Sequence, residues 1–159
     1  MNRIREAQIR RVARVAVLLT ASLALSCGDE TTSPCPQVTG AAGIRLVSHG
    51  HELYRQDGAT QQGAITVAPG GLVHAIECTF LDAQGRAIAI ANDCQADSLT
   101  VVSLNPAIAV VSRDAGLRFF FNVSGETIGQ TTLDLQLLQD SAARFTALPI
   151  PVVVPGAIP

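Results

Sequence analysis

From residue 44 onward the chain is written in short apolar runs that alternate with polar positions and stop at Gly, Asp, Asn or Pro. The pattern predicts strands over 44–48, 52–56, 64–67, 72–81, 86–91, 98–104, 107–112, 117–123, 131–138 and 148–154. Between them stand turn-forming groups: Asp57-Gly58, Pro69-Gly70-Gly71, Asp82-Ala83-Gln84-Gly85, Asn105-Pro106, Asp114-Ala115-Gly116 and Ser124-Gly125. In the longest run Ile76, Cys78 and Phe80 share one face at period two. Leu133, Leu135 and Leu137 likewise oppose Thr132, Asp134 and Gln136, the alternation of a half-buried strand. Leu133–Ala143 is long enough for a helix, but strict alternation and the Thr131-Thr132 lead-in favour a strand. Pro149 and Pro151 lack N–H donors, so the last strand is expected at an edge, or paired on one side only. These features together predict an all-β fold, an antiparallel sandwich of about seven to nine strands.

The first residues follow another rule. Residues 1–14 hold five arginines (Arg3, Arg5, Arg10, Arg11, Arg14) against one acid, Glu6. Val15–Leu25 is then apolar or small apart from Thr20 and Ser22. A basic region before a short apolar core reads as a signal peptide over 1–26. The run is shorter than the roughly 20 residues a spanning helix needs. The arginines are bunched at one end, unlike the spread polar face of an amphipathic helix. Leu23-Ala24-Leu25-Ser26-Cys27-Gly28-Asp29 resembles a bacterial lipobox, which implies that Cys27 is lipidated and becomes the new N-terminus. Ala24 departs from the usual leucine of that motif, and Ala24-Leu25-Ser26 also fits ordinary secretory cleavage. Both readings cut before Cys27 and differ only in the lipid. Residues 27–37 then read as the lipidated cysteine and a flexible tether, and 38–159 as one domain. The resemblance implies a bacterial cell-envelope location, with membrane lipid as partner through Cys27. Gly28, rather than Asp, after the cysteine implies the outer membrane.

Charge narrows the partners. Beyond residue 26 there are six arginines, twelve acids and no lysine, a formal charge of −6. That balance excludes a nucleic-acid binder and a polybasic membrane patch. The cysteines are Cys27, Cys35, Cys78 and Cys94. An oxidising compartment permits disulfides. Cys78 and Cys94 flank what reads as a hairpin and are the expected pair; without lipid on Cys27 two pairs and three connectivities are open. No C-x₂-C pair is present, which argues against structural zinc.

His49 and His51 are spaced i, i+2, which on a strand puts both on one face. With Glu52 and His74 they form a candidate metal site; the same segment also reads as an exposed strand end. No G-x-S-x-G elbow and no calcium-loop motif occurs. Glu77 and Asp82 could pair as carboxylates, but Asp82 opens a turn, where Asp is expected to bond backbone. Asn122-Val123-Ser124 matches a glycosylation sequon. Within Phe119-Phe120-Phe121, Phe120 is out of phase with its neighbours and is the expected exposed contact. No cofactor is expected.

Three segments carry a family resemblance. They are Ser103-Leu104-Asn105-Pro106-Ala107-Ile108-Ala109-Val110-Val111, Phe119-Phe120-Phe121-Asn122-Val123-Ser124-Gly125 and Gly129-Gln130-Thr131-Thr132-Leu133-Asp134-Leu135. They resemble bacterial immunoglobulin-like (Big-type) domains, as does Thr66-Val67-Ala68-Pro69-Gly70-Gly71. The resemblance covers about residues 64–138 and implies an immunoglobulin-like β-sandwich. It leaves out the Cys78–Cys94 region and the segment 44–58. The expected function is a non-catalytic, envelope-anchored binding or scaffolding module, working by surface complementarity or strand addition on envelope proteins or polysaccharide. The alternative is a periplasmic metal-binding protein built on His49 and His51.

Overall fold

A computed structural model describes residues 40–90, 97–113 and 116–156. The expected signal peptide 1–26, Cys27 and the tether lie outside the described residues. Among the described residues eleven strands form two sheets: β1 (Gly43–Ser48), β2 (His51–Asp57), β3 (Thr60–Gly63), β4 (Ile65–Thr66), β5 (Leu72–Leu81), β6 (Asp97–Ser103), β7 (Ala109–Arg113), β8 (Phe120–Gly125), β9 (Gly129–Gln139), β10 (Ala142–Thr146) and β11 (Ile150–Val154). The first sheet runs β3-β2-β1-β5-β8-β7. The second is built on β9, which pairs with β6, β10 and β11, while β11 also pairs with β4. β6 and β10 both engage Gln136–Gln139 of β9, so they must lie on opposite sides of it. β6 and β11 both reach Leu133, so β10 and β11 share one side as a single interrupted strand. Strand pairing is antiparallel except between β4 and β11. The order β5-β8-β7 against β4-β11-β9-β6 is that of an immunoglobulin-like sandwich. The segment outside the resemblance, β1 to β3, widens the first sheet from the free edge of β5.

Period-two alternation places the core. Ile44, Leu46, Tyr54, Ile76, Phe80, Phe121 and Val123 point inward from one sheet and meet Leu99, Leu133, Leu135, Leu137, Ile150 and Val152 from the other. Phe80 lies edge-on to Phe119 and Phe145, with centroids 6.1 and 5.8 Å away. Buried Gln56 on β2 ties the sheets together. Its Oε1 accepts from the Leu148 N–H at 2.9 Å, and its Nε2 donates to the Gly58 carbonyl.

Three expectations are corrected. Residues 86–90 form no strand: Ala87 bridges Leu81 and the Ile88 N–H reaches the Phe80 carbonyl. At that end β1 occupies one edge of β5, and β8 begins only at Glu77, leaving a short free edge. The reversal after Cys78 is thus a short antiparallel pairing about the Asp82–Gly85 turn rather than a full strand pair, and Cys94 lies outside the described residues. The last strand is paired on both sides. Pro151 shares its backbone direction with Val153, whose carbonyl accepts from Val67, so the missing N–H faces β4. The β4 ladder begins at Val152, one residue past the proline. Finally, β3 and β10 were absent from the hydrophobic pattern; β3 is wholly exposed, and β10 is exposed apart from half-buried Phe145.

The chain enters and leaves at opposite poles. Ala42 donates to Leu81 at one end of β5, whereas Val154 pairs with Gly129, four residues from the β8 terminus that sits beside Leu72. The ten residues of β5 set these poles roughly 30 Å apart.

Candidate functional site

Two positive-φ residues shape the histidine corner. His49 (φ 51°) and Gly50 (φ 80°) form a two-residue turn joining β1 to β2. His49 is therefore a turn residue, and the strand rule that would align it with His51 does not apply. Opposite stands a bulge in β5, where Val73 pairs with Val123 but Ile76 pairs with Phe121. Ala75 takes a left-handed conformation there (φ 53°) and gives its N–H to Asn122 Oδ1 at 2.8 Å. The bulge aims His74 at His49, with ring centroids 4.5 Å apart in an edge-to-face contact. Ser48 Oγ donates to the His74 carbonyl at 2.8 Å, a backbone bond rather than a nucleophile–base contact. Of the four expected ligands the structure pairs His49 with His74. Among the described residues no group of three or more His, Cys, Asp or Glu converges on a metal position.

The remaining candidates separate. Cys78 points into the core as a free, buried thiol. Burial, and secondarily the Glu77 carboxylate, push it far above the ordinary thiol range. Cys94 lies outside the described residues. Phe120 is half-buried on the outer face, opposite Glu77, rather than fully exposed. Glu77 stands on that face while Asp82 is folded into its turn, accepting from the Gln84 and Arg86 N–H groups at 2.9 Å each and from Arg86 Nε at 2.8 Å. These bonds, the Arg86 backbone N–H foremost, hold the Asp82 carboxyl below its usual value. Asn122 is the clasp of the β5 bulge.

Large exposed apolar side chains concentrate at the pole away from Ala42. Leu72 (56% exposed), Leu104 (60%) and Ile128 (65%) stand at strand ends there, Val102 and Val110 lie further in on the outer faces of the two sheets, and Leu117 stands near the other pole. Leu72 and Val110 flank Ser124 in one cross-strand row. β6, which delivers Val102 and Leu104, is also the longest free sheet edge among the described residues. Its seven residues carry no proline, lysine or bulge, whereas β3 is short and polar and β4 has two residues.

No family model and no curated protein matches the chain. Among solved structures it is similar to domains 4 and 5 of the S-layer protein SbsC, at 20% identity and a TM-score of 0.41, covering 60% of this chain and 49% of that one. The chain spans about half the length of the structure it matches.

Sequence reasoning missed two features. One is the distal apolar group, whose members come from separate segments that only the topology assembles. The other is an arginine pair, Arg45 on β1 directly opposite Arg55 on β2. Arg55 is held by Asp57 at 2.7 Å and lines an open groove of about 450 Å³ with Ala42, Asp82 and Gln84. Arg45 Nε is buried without a hydrogen-bond partner. Both arginines fall on the outward phase of their strands, a signal that becomes readable once the β1–β2 register is known.

Proposed function

We propose that the protein is a non-catalytic module of the bacterial cell envelope, anchored through Cys27, that presents its distal pole to a partner protein. The observation that carries this reading is that Leu72, Leu104 and Ile128, each more than half exposed, stand at strand ends at the pole opposite the one where Ala42 enters. A tether attached at the proximal pole holds them away from the membrane. Exposed apolar side chains gathered in one place mark contact surfaces. The adjoining free edge of β6 lets the partner add a strand while its side chains cover Leu104 and Val102.

A photo-crosslinking residue placed at 104, at 128 or at 117 in cells tests this. Adducts are expected from 104 and 128 and not from 117. Equal adducts from all three, or none from the distal positions, would sink the reading. The Leu104→Ser/Ile128→Ser chain should lose the adduct formed from position 72 while keeping its unfolding midpoint.

A further inference from the structure

The outward face of the first sheet carries a row that the fold does not use. Gln62, Arg55, Arg45 and Thr79 are successive register partners across β3, β2, β1 and β5. Their strand neighbours Ile44, Leu46, Tyr54, Cys78 and Phe80 point into the core, so alternation turns this row outward. At the usual strand spacing the four donors span roughly 14 Å in a nearly straight line.

Two properties of the row are unfavourable for the domain alone. Arg45 and Arg55 are like charges directly opposite each other, an arrangement that destabilises a sheet. Asp57 compensates Arg55. Arg45 has no such partner: the ion pairs among the described residues are Arg55–Asp57 and Arg86–Asp82, and its Nε is buried and unbonded. Nε is closed to solvent, so an incoming anion would meet the guanidinium at its terminal nitrogens, which no acid among the described residues occupies. The other acids on this face, Glu52 and Glu77, flank Val47 in the next outward row. They bound the arginine row on one side and leave its length open.

We propose that this row binds an acidic polysaccharide laid across the strands, with a carboxylate on the Arg45 fork and sugar hydroxyls on Gln62 and Thr79. Asp57 fixes Arg55 beside it as a second positive charge. Arg presents paired N–H donors that match a carboxylate in two-point contact. A straight, shallow row suits an extended glycan strand. A polyphosphate has no hydroxyls for Gln62 and Thr79 to hold, and an anionic bilayer presents its headgroups in a plane rather than along one line of donors.

The test uses the full-length Cys27→Ser chain, which removes any lipid as a competing source of binding. Calorimetric titration compares oligogalacturonate, a neutral oligosaccharide of equal length, inorganic phosphate and phosphatidylglycerol vesicles. Oligogalacturonate is expected to bind in a salt-sensitive manner. Arg45→Met should weaken it about tenfold or more, as loss of a charge-assisted two-point contact does. Arg45→Lys should fall between the two, because it keeps the charge but not the fork. Without ligand, Arg45→Met should unfold at a higher temperature than the parent, since it removes the opposed charge. The Leu104→Ser/Ile128→Ser chain should bind oligogalacturonate unchanged, so failure of the distal-pole reading leaves this one standing. Equal binding of the neutral sugar, of phosphate or of the vesicles overturns the proposal. So does undiminished binding by Arg45→Met, a lowered midpoint in that variant, or no binding of oligogalacturonate.

Discussion

Single side chains here act mainly by satisfying backbone. Asp82 closes its turn by accepting from Gln84 and Arg86, and its carboxyl is depressed in the folded chain. A depressed carboxyl contributes stability above its unfolded value, near pH 4, and loses it as pH falls through the lower folded value. Asp82→Asn should therefore lower the unfolding midpoint modestly at neutral pH and converge on the parent as pH falls below about 4; thermal scans across that range check it. Cys78 behaves oppositely, because its thiol is buried and kept protonated. In native buffer its peptide should resist iodoacetamide. In denaturant without reductant it should be alkylated fully, as read by mass spectrometry; a Cys78 that stays blocked until reduced would mean that it is paired. Zinc in tenfold excess should leave the unfolding midpoint of the chain unmoved, because His51 and Glu52 do not join His49 and His74.

At the scale of elements, side-chain clasps decide which strands can bend. The β5 bulge depends on Asn122, whose Oδ1 takes the N–H freed at Ala75. Asn122→Ala leaves that partly buried donor without an acceptor and should cost about 1–3 kcal/mol in denaturant unfolding. Gly43 is constrained from another direction. A Cβ there would collide with the Gln56 carbonyl across the β1–β2 ladder, so Gly43→Ala forces the register apart and should cost about 1–3 kcal/mol. Strands with a clean period of two were legible in the sequence. β5 matches its expected bounds, and Leu133, Leu135 and Leu137 of β9 are all buried. Elements defined by pairing rather than burial were not. β3 exists because β2 offers it an edge and Tyr54 reaches its Gln61 with a hydroxyl hydrogen bond of 3.0 Å. The His49-Gly50 turn was misread because His-Gly lacks the Asn-Gly or Asp-Gly signature usual for two positive-φ positions.

At the scale of the whole molecule, the resemblance between residues 64 and 138 indicated the sandwich, and the segment outside it became the added β1–β3 ribbon that carries the arginine row. Neither the distal apolar group nor that row is local in sequence, so neither has a motif. The proposed anchor is the reverse case, a short motif that lies outside the described residues. Mass spectrometry of the mature N-terminus should show diacylglycerol on Cys27 and none on the Cys27→Ser chain; an unmodified Cys27 after cleavage would make the domain a secreted one.

The placement of the first and last strands also bears on mechanics. A pull applied between Gly40 and Gly156 runs along the strands instead of across them. β1, held between β2 and β5, and β11, held between β9 and β4, are then loaded in shear. Their hydrogen bonds bear tension together rather than opening one after another. A domain threaded this way resists extension by its whole ladder, so its strength under a pull is set by two three-strand seams and not by the number of its strands.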